Sequence, residues 1–477
     1  MIGRRAALTS VSTLILVGAV ALALAPSPAP IRPAGRGGEA VEQAITTQER
    51  LDALDAAVRN GRFGTIERAI GRAAPGWAGE RVMGATHDDW EPAVAADPRD
   101  PYVYIVATRY GDAKPCPGNC PTPYMALEIS SDGGATFGRP KPLCACKGSG
   151  QYDPIIEVVP ETGSVYAVYM NGYNVVFIRS TDHGETWSEP VATHGKVSWN
   201  DKPVMATSSD GRDVYVSWNG PTAGDPWVAQ SHDGGRTWTQ QRIRHGDRYF
   251  FAYDAVVMPD GTVVFSEGSL IYTGGGGVTG IVRQHAFISR DRGTTWSVLT
   301  VARVDPGQPC ADCRADYYVG HSGVDADAAG RLVFTYDGAV VPYGPQRIYA
   351  TTSTDHGATW SAPVMLSDTA EHASSPTIEA RGNGDVRLVY MQTADGAAAD
   401  RWNAWYRRST DGGRTWSAPV NISDKRTGAA YKHADGFEEI YGDYGEIAIT
   451  SSGDTFAIWG EAYSYLGPGG AWFNVGR

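Results

Sequence analysis

An all-β fold, a propeller of seven four-stranded blades, is predicted by three features of this 477-residue sequence. An eight-residue box recurs six times, and a two-strand pattern recurs seven times around it. The composition agrees: 58 Gly, 14 Trp and 24 Tyr accompany short apolar runs cut by Asp/Gly turns, which suits strands and tight turns better than helices. A six-bladed ring is the alternative.

The chain opens with an export signal over residues 1–25: Arg4 and Arg5, the apolar stretch VSTLILVGAVALALA, then APSPAP. That stretch is short for a bilayer span of about 20 residues. Ala23 and Ala25 suit cleavage, whereas Pro26 opposes it, so an uncleaved N-terminal anchor is the alternative, and the Arg pair permits a twin-arginine route. Residues 26–38 are a Pro/Gly-rich linker. Residues 39–75 form a helical preface by spacing, with Val41 and Ile45 four apart and Leu51, Leu54 and Val58 following at three and four. The propeller is expected over 76–477.

The boxes are SSDGGATF, STDHGETW, SHDGGRTW, SRDRGTTW, STDHGATW and STDGGRTW. Their aspartates, Asp132, Asp182, Asp233, Asp291, Asp355 and Asp411, lie 50, 51, 58, 64 and 56 residues apart, a period of modular folds. Each box reads as a hairpin turn. The carboxylate accepts backbone N–H groups, Gly takes positive φ, and Thr-Trp begins the next strand with its ring packed between neighbouring units. Six identical turns serve architecture, not six copies of one chemistry.

The two-strand pattern runs from WEPAVAADPRDPYVYIVATRY to DYGEIAITSSGDTFAIWGE. Seven copies against six boxes imply a last blade without a box, closed by a strand from about Arg81 to His87 so that no sheet edge stays free. Strand starts should open on an axial funnel: Glu91, Asp153, Asp201, Asp254, His321, Ser375 and Tyr444. Second-strand ends should join them: Arg109, Asn171, Asn219, Glu267, Asp337, Gln392 and Glu461. Polar residues where packing would accept Val suggest a ligand-facing, hydrated pocket.

The box S-x-D-x-G-x-T-W resembles the Asp box, or BNR repeat, of the sialidases and related β-propellers over roughly residues 85–477. That resemblance implies glycan processing. In it Tyr444 falls on the nucleophilic Tyr, since a neutral phenol avoids repulsion by the substrate carboxylate. Glu438, Glu439 or Glu461 would be its base. Sialidases also clamp the carboxylate with three arginines. Here Arg109 alone holds a lining position, with Arg314 and Arg401 on loops and Met391-Gln392 where an Arg is expected, so the specificity is read as altered.

Apart from the resemblance, a ring of carboxylates suits glycoside hydrolysis by one protonated acid and one carboxylate, and Asp153, Asp201 and Asp254 are the acid/base candidates. A uronate lyase using Tyr444 or His321, with Arg109 neutralising the carboxylate, is an alternative. So is a non-catalytic module binding glycan or protein. No cofactor is required by this reading, and carboxylates are compatible with calcium. A formal net charge of -12 argues against nucleic acid and anionic membranes. The expected partner is extracellular glycan or glycoconjugate, and the expected form is a secreted monomer, extracellular or periplasmic.

Six cysteines, Cys116, Cys120, Cys144, Cys146, Cys310 and Cys313, an even number in an exported chain, read as disulfides. A thiolate metal site is the alternative. Cys144 and Cys146 are too close for an easy mutual bridge, so one bond is expected to join that loop to Cys116 or Cys120.

Overall fold

The computed structural model describes residues 73–477 apart from 84–87, 111–120, 122, 144–149, 222–223, 275–276, 308–319, 395–400, 425–431, 434–435, 440–444 and 463–468. The export signal, the linker and most of the helical preface, all six cysteines, Arg314 and Tyr444 lie outside the described residues. So do the side chains of Glu438, Glu439 and Glu461. No helix occurs among the described residues.

Seven antiparallel four-stranded sheets follow one another along the chain. Their inner strands are Asp88–Ala96, Gln151–Val158, Asp201–Thr207, Tyr249–Val257, Ser322–Ala326, Ala373–Arg381 and Gly445–Ile449, in blades 1 to 7. Each packs beside the next, and the seventh packs beside the first, so the ring is closed. Closure uses the chain's beginning: Arg81–Val82 is the outermost strand of blade 7, with Arg81 opposite Phe473 and Val82 opposite Trp472. Seven blades replace the six-bladed alternative.

The boxes explain how the blades are held apart at a fixed distance. In blade 2 the Asp182 carboxylate accepts bonds from Thr186 N (2.9 Å) and Thr186 Oγ1 (2.6 Å), and from Ser180 Oγ (2.7 Å). These donors, the Thr186 hydroxyl first, hold its pKa well below the usual carboxylate range. Ser180 Oγ in turn accepts Gly184 N at 2.9 Å. The third box repeats these bonds around Asp233, and there a Cβ on Gly235 would collide with the Phe177 ring of blade 2 while its φ of +79° excludes most side chains. Box aromatics then seal the joints: Trp187, Trp238, Trp296 and Trp360 each pack into a core cluster shared with the preceding blade. One expectation is corrected. A strand begins directly after the Trp only in the third and fourth boxes, at Thr239 and Ser297; elsewhere a few residues intervene, as at Val191 and Val364.

Because each box joins a third strand to a fourth, it lies at the end of the blade opposite the start of the inner strand. Architecture and site therefore occupy opposite faces.

Candidate functional site

Inner strands share a bulge near their starts. Register slips between Trp90 and Ala93, Tyr152 and Ile155, Asp201 and Val204, Ala252 and Asp254, and Ser374 and Thr377. Four bulge residues precede proline and take positive φ: Glu91 (+52°), Asp153 (+52°), Lys202 (+54°) and Ser375 (+54°). Such a backbone costs about 1 kcal/mol or more per non-Gly residue and tends to persist where it aims a functional side chain.

That bulge assembles the first group. Glu91 Oε2 accepts Thr108 Oγ1 at 2.7 Å and the Asp153 backbone N–H at 3.0 Å. Burial, followed by the charges of Glu91 and Asp201, raises the Asp153 pKa well above the carboxylate norm. Asp201, beside Asn219 across the strand pair, is pushed up to about 6 by burial, with Lys202 opposing and Glu91 adding. Lys202 is only 6% exposed, and its ammonium sits 4.9 Å from the ring centroids of both Phe251 and Tyr253. This places a protonated acid, two further carboxyls and a cation at one strained rim.

A second group faces it. The Tyr253 ring lies 4.9 Å from that of His321, whose Nδ1 is 2.9 Å from Asp337 Oδ2. Asp337 also accepts Ser374 Oγ (2.8 Å) and Gly320 N (3.1 Å), which fixes its orientation. Tyr253, Asp254, His321 and Ser375 line an axial cavity of roughly 330 Å³.

Deeper in the channel lies a set of acids that the sequence pattern does not single out: Glu157, Asp325, Glu379 and Glu446, together with Asp254. Several stitch blades together. Glu446 Oε2 accepts Val94 N (2.7 Å), Asp254 Oδ2 accepts Val324 N (3.0 Å), and Asp325 Oδ2 accepts Ala380 N (2.5 Å). All five are half-buried, and Glu157, Asp254, Glu379 and Glu446 line the cavity. Burial raises all five, Asp325 to about 7 and Glu157 to about 8, and mutual repulsion adds for Glu157, Glu379, Asp254 and Glu446.

The expected lining is thus revised. Among the described second-strand ends, Arg109, Asn171, Asn219, Glu267, Asp337 and Gln392 do not line the cavity. Arg109 is 1% exposed and makes a two-point pair with Asp89 (2.6 and 2.7 Å). Glu267 accepts Ser217 Oγ at 2.7 Å, Gln392 accepts Asp368 N at 3.0 Å, and Asn219 is 2% exposed. Asp337 serves His321 from behind, and Asn171 is half-buried at its strand end. Asp153, Asp201 and Asp254 do not share one register either. Lys202, not Asp201, stands level with Glu91 and Asp153, and Asp254 pairs one step below the bulge, level with Ala93 and Ile155. The signal in the sequence that sets this alignment is a proline after the bulge residue in four of the five bulges: Glu91-Pro92, Asp153-Pro154, Lys202-Pro203 and Ser375-Pro376.

Arg401 is exposed, and no arginine triad lines the cavity among the described residues; Arg381, at its far end, is bound to the carbonyls of Thr450 and Pro98. No group of three or more His, Cys, Asp or Glu side chains is placed to hold a metal among the described residues.

Residues 178–189 match the model of the BNR/Asp-box repeat family. Repeat and ring together define a β-propeller that carries Asp-box repeats. No curated protein matches the chain. Among solved structures, an ulvan polysaccharide lyase bound to -[GlcA(1-4)Rha3S]- is similar at 12% identity and a TM-score of 0.52, over 84% of this chain and 95% of that one. A protein of unknown function from Dyadobacter fermentans DSM 18053 is similar at 13% identity and TM-score 0.48, over 84% and 99%. A Hadza microbial sialidase is similar at 15% identity and TM-score 0.42, over 79% and 76%. These are likenesses of fold.

Proposed function

We propose that the protein is a glycan-processing enzyme, a glycoside hydrolase whose site is the bulged rim of the propeller axis. The observation that supports this most is the grouping of Glu91, Asp153 and Asp201 at the adjoining bulges of blades 1 to 3, with Asp153 raised so that it keeps its proton. Glycosidic cleavage needs that asymmetry: a protonated acid for the leaving oxygen and an ionised carboxylate on the other side. Asp153 gives its proton to the glycosidic oxygen as the C–O bond breaks, and Asp201 takes a proton from the water that adds to the anomeric carbon. Lys202 keeps Asp201 ionised at lower pH than burial alone would allow.

A second reading has its own observation. Tyr253 beside the His321–Asp337 pair, with Lys202 over the same ring, is the equipment of a uronate lyase: a base for the C5 proton, an acid for the leaving oxygen and a cation for the carboxylate. The ulvan lyase of similar fold makes this class worth assaying. Tyr444 as a sialidase nucleophile is retained as a minor variant of the first reading. The export signal read at residues 1–25 would place the substrate outside the cytoplasm.

The test is an assay of purified protein against neutral glycosides, sialosides and uronate polymers, with Asp153→Asn and Tyr253→Phe beside wild type. New reducing ends lost in Asp153→Asn support the hydrolase. An ultraviolet-absorbing unsaturated uronate lost in Tyr253→Phe supports the lyase instead. Glycan binding with neither product points to the non-catalytic module.

A further inference from the structure

Blade 4 departs from the others at the mouth end of the ring. Its middle strands run long, Val263–Gly274 and Gly277–Ser289, and its fourth strand, Ser297–Val304, extends beside them. On this extension Arg283 stands directly opposite Arg303. Two like charges in one cross-strand pair repel.

Two more arginines join them. Arg248 is 9% exposed and donates from Nε to Ser269 Oγ (2.9 Å) and from Nη2 to the carbonyls of Ser269 (2.7 Å) and Ile281 (2.6 Å). Ser269 is the cross-strand partner of Arg283, so Arg248 is pinned against the same pair. Arg244 lies near enough for its charge, with those of Arg248, Arg283 and Arg303, to hold the buried His285 neutral after burial itself. His285 Nε2 meets Ser269 Oγ at 2.8 Å.

Arg242, on the same stretch, has Asp225 at 3.5 Å. Among the described residues none of Arg244, Arg248, Arg283 and Arg303 forms an ion pair with a carboxylate, although Asp247 adds a favourable field at Arg248. The Nε of Arg283 is enclosed yet has no acceptor among the described residues. In a chain of net charge -12, four such arginines are out of place as solubilising surface.

Position supplies the ligand class. Ser269 is level with Phe250 on the inner strand, whose ring lies 5.6 Å from His285, and Phe251 and Tyr253 of that same strand carry Lys202 at the rim. A chain leaving the axial site over blade 4 would cross the arginines.

We propose that this edge of blade 4 is a subsite for acidic glycan, in which Arg283 and Arg303 grip a sulfate or carboxylate group on a sugar outside the reaction centre. Guanidinium forks match the paired oxygens of either group. The inference rests on the glycan reading above for the polymer, but not on which bond is broken.

The test is calorimetric binding of three oligosaccharides of equal length, one sulfated, one uronate and one uncharged, to wild type, Arg283→Gln/Arg303→Gln and Asp153→Asn. Expected are salt-sensitive binding of an acidic oligosaccharide, weakened about tenfold or more in the double variant, and no change for the uncharged one. Whichever acidic arm binds names the group. Asp153→Asn should lose turnover and keep this binding, so a failed hydrolase reading would leave the subsite standing. Inorganic sulfate should raise the melting temperature of wild type more than that of Arg303→Gln, which without anions should be at least as stable as wild type. Equal affinity in the double variant, no preference for acid over uncharged sugar, tighter binding of single-stranded DNA than of either glycan, or a marked loss of stability in anion-free Arg303→Gln would each overturn the proposal.

Discussion

The carboxylate of Glu91 accepts the backbone N–H of Asp153 at 3.0 Å, across the joint between blades 1 and 2. One bond therefore fixes the spacing of two blades and sets two acids side by side. Burial and that neighbour keep Asp153 protonated, and the chemistry proposed for the rim depends on it.

Replacing Asp153 with Asn should lower kcat by about a hundredfold or more, the usual contribution of a general acid. Because the amide is isosteric and is neutral without having to bind a proton on folding, the melting temperature should stay level or rise. Turnover on the best glycan substrate and a thermal melt together check this.

Lys202→Met keeps an apolar stem on the Phe251 and Tyr253 rings and removes the charge. Since Lys202 lowers the pKa of Asp201, which stands at about 6, its loss should move the acidic limb of the kcat profile upward in pH. A profile that keeps its shape while kcat falls would separate Asp201 from the reaction.

Rising pH should weaken the ring. Asp254, Asp325, Glu157, Glu379 and Glu446 all have folded pKa values raised above their unfolded ones. The stability they give is complete below the ordinary carboxylate range of about 4 and is lost as pH rises through the folded values, about 7 for Asp325 and about 8 for Glu157. Melting temperature should thus fall by several degrees between about pH 4 and pH 8, and Glu157→Gln with Glu379→Gln should flatten that slope.

Gly235→Ala should destabilise the fold by about 2 kcal/mol or more, since both the positive φ and the Phe177 ring oppose a methyl group. At Gly133, where φ is +74°, a methyl group would meet no atom within 4 Å, so Gly133→Ala incurs the backbone cost alone and should lose about half as much. Denaturant midpoints of the two variants measure the difference.

Much of this is legible without coordinates. Blade number follows from counting two-strand copies against boxes, and closure by Arg81–Val82 follows from the missing seventh box. The site is less legible. By position in its strand Asp201 reads as the counterpart of Asp153, whereas the bulge before proline turns Lys202 to that place. Arg109 reads as a residue able to hold a substrate carboxylate, but Asp89, two positions before Glu91, occupies it completely.

The sequence alone determined the repeat, its turns and the ring, because Asp-box bonds are local and close within eight residues whatever surrounds them. Tertiary structure alone decided which acids crowd together, which arginines stay unmatched and which side chains meet at the axis. Those depend on residues from different blades, up to hundreds of positions apart, and on burial that no single strand carries in its own pattern.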